Sequence, residues 1–269
     1  MISLVVTAQP TEPLDIAKKL FGRDSIQNLE VYVTDEYKGQ PNGRDLGPGA
    51  IVDFQLLQQA ETNAVVAMTI TDSSGYGLNT YLHFKKGLAW KMCAFRALAM
   101  TGLIEKLKED LEKMTPEEVA KMIKRSNQEA GKSEFITSRE DYDFQLGNAR
   151  LILELDENLV KYFKRNQDSF DSLKNDAISE LTLGKNSDKS RITLLEKKKE
   201  WYHKLFISSV SYGDYELGHN SLVFLIGGIL DNTVGYIFVK DPKDIPTMSP
   251  DKIIMLKEIG NGWYIYKTT

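Results

Sequence analysis

A change of period constrains this chain more than any single residue does. Between residues 51 and 95, apolar side chains recur at every second position in short runs separated by turn residues; beyond residue 103 they recur at every third and fourth position. Ile51–Leu57, Ala64–Thr71, Asn79–Lys85 and Ala89–Phe95 read as strands, punctuated by Asp72-Ser73-Ser74-Gly75 and Lys86-Gly87 as turns. Connections this short can only join antiparallel neighbours, because a parallel pair needs a crossover of a dozen residues or more. Upstream, Pro13–Phe21 reads as a helix with Pro in its first turn and Gly22 placed for a left-handed cap. Leu29–Thr34 reads as one more strand, ahead of a Gly/Pro/Asn-rich stretch from Lys38 to Gly49. One helix followed by about five meandering strands is an α+β roll.

The helical period then takes over. Leu103, Ile104, Leu107, Leu111 and Met114 mark one amphipathic face. Thr115-Pro116-Glu117-Glu118 is a capping box that starts a second helix carrying Val119, Met122 and Ile123. The pattern breaks at Gly131–Ser138, where we place the boundary between a first domain, 10–131, and a second, 138–269. Ser138–Asp141 opens a short helical turn, and Asp156 caps a helical stretch with Leu159, Tyr162, Phe163, Phe170, Leu173, Ala177 and Leu181 on one face. Asn186–Ser190 reads as a turn, and Ile192, Leu195, Lys199 and Tyr202 as a further helix. Extended segments follow at Leu205–Val210, Ser221–Ile226, Val234–Val239, Lys252–Leu256 and Trp263–Lys267, with Pro242, Pro246 and Pro250 stiffening one loop. The expected fold class is therefore α+β, two antiparallel-sheet-plus-helix rolls in tandem. Tyr81–Lys85 and Tyr236–Lys240 echo one another, each followed by a strand bearing a Trp, Trp90 or Trp263. Either a duplicated roll or a shared strand vocabulary accounts for this.

At 269 residues the chain has room for two domains, and 42% hydrophobic residues suffice for cores. Its formal charge of -4 opposes a sequence-independent hold on nucleic acid. A single Cys excludes an intramolecular disulfide. No CxxC or HExxH occurs, and His83, His203 and His219 lie too far apart for a zinc motif, so no metal is expected. A Gly-rich phosphate loop and a GxSxG elbow are missing as well, and no cofactor is expected. Apolar runs are too short for a membrane span. Leu4-Val5-Val6-Thr7-Ala8 reads either as a short strand or as the tail of a signal peptide with Val6-x-Ala8 before the cleavage point. Export to the periplasm or beyond is the expectation taken forward, with a cytoplasmic location as the alternative.

Phe163-Lys164-Arg165-Asn166, Tyr202-His203-Lys204-Leu205-Phe206, Gly235-Tyr236 and the closing Trp263-Tyr264-Ile265-Tyr266 resemble a group of small exported bacterial proteins over residues 150–269. Members are often lipid-anchored; the anchoring Cys has no counterpart near residue 1, so that property does not carry over. By its helix-plus-meander order, 10–100 resembles a cystatin-like or nuclear-transport-factor-like roll. The resemblances imply fold and export. Rolls of this kind host enzymes, inhibitors and binding modules alike.

Alternation puts Tyr81 and His83 on one strand face, opposite Leu82 and Phe84. His83 is the candidate general acid/base, with Asp72 as its carboxylate partner, because imidazole titrates near neutrality. Arg96 at a strand end is a candidate for holding a carboxylate ligand. Cys93 is expected to be buried and inert, facing the same way as Lys91 and Phe95. Glu109-Asp110, Glu117-Glu118 and Glu140-Asp141-Asp143 fall on helix first turns and polar faces. Lys197-Lys198-Lys199 with Lys189 and Arg191 reads as a solvated basic run. Tyr212, Tyr215 and Trp263, and above all Tyr236, Tyr264 and Tyr266, are candidates for a recognition surface. The reading that results is a non-catalytic binding protein for a protein, peptide or polymer. Its alternatives are an enzyme lined by His83, Tyr81, Asp72 and Arg96, and an inhibitor or immunity-type protein masking a partner enzyme.

Overall fold

The computed structural model describes residues 11–128, 136–183, 191–214 and 217–269. It is an α+β protein with two antiparallel sheets, of four and six strands. The chain divides into two compact units. One holds the described residues up to Ala97 together with Met248–Met255; the other holds Leu98–Thr247 and Leu256–Thr269. This division falls ahead of the 131–138 stretch where composition alone places a boundary, and residues 129–135 of that stretch lie outside the described residues. Leu4–Ala8, Asn186–Ser190 and Tyr215 lie outside them too.

In the first unit, helix α1 (Pro13–Leu20) buries Ile16, Ala17 and Leu20. It lies against a meander of β1 (Ile51–Gln59), β2 (Asn63–Thr71), β3 (Gly77–Lys86) and β4 (Trp90–Arg96), in that order across the sheet. Val66, Met68, Leu82, Phe84, Trp90 and Met92 meet the helix, as the alternation requires. The end of α1 differs from expectation. Phe21 closes the helix and Gly22 does not take a positive φ.

Leu29–Thr34 is not a strand, so the sheet has four strands rather than about five. Asn28 turns left-handed (φ 54) into a single 3-10 turn, Leu29–Val31. Beyond it, Met92 N donates to Tyr32 O, Thr34 N donates to Met92 O, and Val33 makes one parallel bridge to Met92. What commits the segment is the burial of the Tyr32 and Tyr37 side chains in the core, and not its alternation, because Val31 is left exposed.

A bulge in β4 corrects the expected facing of its residues. Phe84 lies opposite Met92 and His83 opposite Ala94, so Cys93 is the extra residue. One inserted residue reverses a strand's facing from that point. Phe95 thus turns inward and packs against Phe21, ring centroids 5.9 Å apart, while Arg96 comes opposite Tyr81 and on its face.

In the second unit, α2 (Thr101–Glu112) and α3 (Pro116–Gln128) are separated by the expected capping box. Glu118 N donates to Thr115 Oγ1 at 3.2 Å, and Thr115 N to the Glu118 carboxylate at 2.8 Å. Ser138 caps α4 (Arg139–Ile152), which runs 14 residues where sequence suggested a short turn. Tyr142 of α4 donates to Leu111 O at 2.8 Å and joins Leu111, Val119 and Ile136 in a satellite core. Asp156 is the first residue of α5 (Asp156–Arg165) and not its cap, and α6 (Gln167–Leu183) follows.

The six-stranded sheet is ordered β5 (Ile192–Leu194), β6 (Ser209–Asp214), β7 (Gly218–Ile229), β8 (Asn232–Val239), β10 (Trp263–Thr268) and β9 (Ile253–Gly260). Ile192 belongs to a strand rather than to the expected helix, because it pairs with Tyr212 across β6. The helix of that stretch is confined to a 3-10 turn, Glu196–Lys198, running into the short helix α7, Lys199–His203. Phe206, at φ 54, turns the chain before β6 begins. The echo between β3 and β8 does not extend to facing. Tyr236 points at the covering helices, whereas Tyr81 lies on the face away from α1.

Candidate functional site

The residues singled out on β3 and β4 do come together in part, but as an internal strut. His83 is 3% exposed. Its ring makes a backbone hydrogen bond to Ile254, and Nε2 has no partner among the described residues. Burial, and secondarily the Arg96 guanidinium, push its pKa down to about 4. Tyr81 beside it is fully buried. Arg96 donates from Nε to Pro250 O at 2.7 Å and from Nη1 to Phe95 O at 3.0 Å, and forms an ion pair with Glu36. Both His83 and Arg96 are therefore spent on holding the returning segment Met248–Met255.

Asp72 is not part of this group. It sits in the β2–β3 turn, seven positions from Val65, the residue opposite His83, which is roughly 23 Å along the strand direction. Its Oδ1 accepts from Ser74 Oγ (2.6 Å), Ser74 N (2.8 Å) and Tyr76 N (3.0 Å), and the Ser74 hydroxyl with these amides holds the carboxyl below its ordinary value. That is an Asx turn, built to shape a hairpin. Cys93 Sγ donates to His83 O, and burial raises its thiol to about 11, so it carries no thiolate near neutrality.

Of the aromatic candidates, Tyr236, Trp263 and Tyr266 are core residues, whereas Tyr212 and Tyr264 are partly exposed. Tyr236 is fully buried, donates to Leu159 O at 2.9 Å, and is pushed well above the usual phenol value by burial. Phe163 of α5 lies 5.3 Å from the Tyr236 ring and 5.1 Å from Trp263. Phe170 of α6 closes the cluster at 4.9 Å from Phe163. Tyr266 is 1% exposed. Tyr264 is half-buried, raised by burial and then by the Glu258 charge. Tyr and Trp fill this layer because their rings supply large contact areas and their polar ends find buried acceptors.

Two further features escape sequence reasoning. Lys267 Nζ lies 2.8 Å from Asp156 Oδ1, with each side chain only 5% exposed, so β10 and the first turn of α5 share a buried ion pair. A cleft of about 560 Å³ opens between α5 and the end of β9, lined by Glu157, Val160, Lys161, Lys164, Lys257, Glu258, Ile259 and Gly260.

The cleft follows from how α5 is patterned. Leu159 and Phe163 go into the core. Glu157, Val160, Lys161 and Lys164, spaced i, i+3, i+4 and i+7, share the flank that overhangs β9. Lys161 stands 3.8 Å from Glu157, a loose exposed pair worth little. Lys164 is exposed and has no ion-pair partner among the described residues. On the other wall, β9 is the last strand of the sheet, and its first four residues are buried while Lys257–Gly260 are partly or fully open. The lining thus carries three lysines against two glutamates, around an apolar floor of Val160 and Ile259. The helix stripe was readable from residue spacing; its meeting with β9 was not. Among the described residues, no group of three His, Cys, Asp or Glu side chains is placed to hold a metal ion. Comparison of the chain with protein families, with curated proteins and with solved structures found no match.

Proposed function

We propose that this chain is a non-catalytic binding protein whose site is the cleft between α5 and β9 and whose ligand is anionic. The observation that carries this reading is the convergence of Lys161, Lys164 and Lys257 on one opening of about 560 Å³, a size in the range of ligand sites. Lysine supplies a point charge on a flexible stem, suited to gathering anionic groups without demanding one geometry. The groups that sequence offers for acid–base chemistry support the reading indirectly. Arg96 donates to Pro250 O, His83 is enclosed beneath the same segment, and the Asp72 carboxylate is taken up by Ser74 and Tyr76 in a turn remote from His83.

The test is a titration of the full chain with poly-glutamate at low ionic strength, followed by calorimetry. Binding is expected, and it weakens as salt screens the lysines. The paired variant Lys161→Glu with Lys164→Glu should bind at least about tenfold more weakly while its circular dichroism is unchanged. Equal affinity of variant and parent would overturn the assignment of the site.

A further inference from the structure

We propose, resting on the reading of the cleft as an anion site, that its occupant is a single-chain aliphatic carboxylate of medium length, with its head at Lys164 and its tail along Val160 and Ile259. The charge in the lining is nearly balanced. Three lysines face two glutamates, an excess of one positive charge, which suits one anionic group better than a series of them. The other lining side chains, Val160 and Ile259, are aliphatic and partly exposed, unlike Leu159 and Phe163, which the core takes. The four-carbon stems of Lys161 and Lys164 add aliphatic surface below their ammonium groups. A hydrocarbon laid on this surface releases the water over it, a gain that no purely polar anion obtains.

The order of residues along α5 sets the direction of the ligand. Val160 and Lys164 stand four positions apart, which makes them neighbours on the helix surface, one turn from each other. Lys164 is exposed and has no ion-pair partner among the described residues, whereas Lys161 stands 3.8 Å from Glu157. Lys164 is therefore the main contact for the head group, with Lys161 beside it. A carboxylate held there sends its tail back over Val160, towards the start of the helix.

Glu157 then limits the length of that tail. It lines the same cleft and stands seven positions before Lys164, closing the apolar stretch. At about 1.5 Å of rise per residue, the two are about 10.5 Å apart along the helix axis. An extended hydrocarbon covers that distance in about eight carbons, at roughly 1.25 Å per zigzag bond. Longer chains pass Glu157 into water, so their extra methylenes contribute nothing. A second carboxylate at the far end of the tail meets Glu157, and like charges repel. The cleft thus discriminates by tail length and by the charge at the tail's end, which a site built for charge alone does not.

The experiment is calorimetric titration of the full chain with the even-numbered carboxylates from butanoate to decanoate, with octanedioate, and with poly-glutamate as the purely polar reference. Affinity is expected to rise at least about twofold per added methylene up to octanoate and to level off at decanoate. Octanedioate should bind at least about tenfold more weakly than octanoate despite its extra charge. Val160→Asn should flatten the dependence on chain length, and Lys161→Glu with Lys164→Glu should weaken octanoate at least about tenfold. If butanoate and octanoate bind alike, or octanedioate binds more tightly than octanoate, while poly-glutamate still binds at the lysines, the aliphatic occupant is overturned and the anionic site stands. Octanoate binding that the lysine and Val160 variants leave untouched places the ligand elsewhere and overturns the proposal. Failure of the carboxylates and of poly-glutamate alike overturns the two readings together.

Discussion

His83 shows how far the meaning of a residue depends on its surroundings. A strand histidine in sequence is a candidate acid/base; the same ring enclosed beneath Met248–Met255, with Arg96 on its face and Nε2 unpartnered, is a neutral packing group. Its pKa of about 4 in the folded chain lies below the ordinary 6.5, so the unfolded chain takes up a proton first as pH falls. Its contribution to stability is therefore complete above about pH 6.5 and is lost on acidification towards pH 4, by roughly 3 kcal/mol in all. Besides Arg96, the charges near this face are Glu36 and Asp251, both paired to Arg96. His83→Gln keeps an N–H for the Ile254 backbone and cannot titrate. Urea midpoints measured from neutral pH to about pH 4.5 should fall less steeply for this variant than for the parent; parallel curves would exclude His83 as the acid-sensitive group.

At the scale of elements, most of what forms was written locally. The helix at 13–20, the four strands of the first sheet and the Thr115 capping box all rest on neighbours within a few positions, and each appears where its pattern puts it. Leu29–Thr34 and Ile192 depart from their local patterns for the opposite reason, since a three-residue strand or a tethered turn has no period of its own. The Asp156–Lys267 pair belongs to the same class, because its partners are 111 positions apart and neither stands out alone. Replacing Lys267 by Met leaves a carboxylate buried without its counter-charge, which should cost about 3–5 kcal/mol. Adding Asp156→Leu should recover most of that loss, because an apolar pair of similar volume carries no desolvation cost. Guanidinium denaturation of the parent and the two variants makes the comparison, and a loss below about 1 kcal/mol in Lys267→Met would contradict a desolvated pair.

Over the whole molecule, the notable property is that the first unit is not one stretch of chain. Met248–Met255 returns to it more than 150 residues after the unit's main part ends at Ala97. Arg96 is the clasp, through Pro250 O on one side and Glu36 on the other, and it reaches them because the Cys93 bulge turned it to that face. Arg96→Ala removes a charge-assisted hydrogen bond and an ion pair at once, so the segment should open locally without global unfolding. Hydrogen exchange is expected to quicken in 248–255 by about tenfold or more, with the amides of β7 and β8 unaffected. Uniform acceleration throughout the chain would show that Arg96 is no local clasp.

By itself the sequence determined the class and most of the parts: alternation for the strands, three-and-four spacing for the helices, and Thr/Pro/Glu chemistry for the start of α3. These depend on torsions and on neighbours a few residues apart, and so survive reading in one dimension. The tertiary structure alone decided which faces are enclosed. It turned Tyr236 and Tyr266 from surface candidates into core, separated His83 from Asp72, moved Arg96 across its strand by one bulged residue, and set the lysine stripe of α5 against the open end of β9. Burial and distance are properties of packing between segments remote in sequence, and function is read from them.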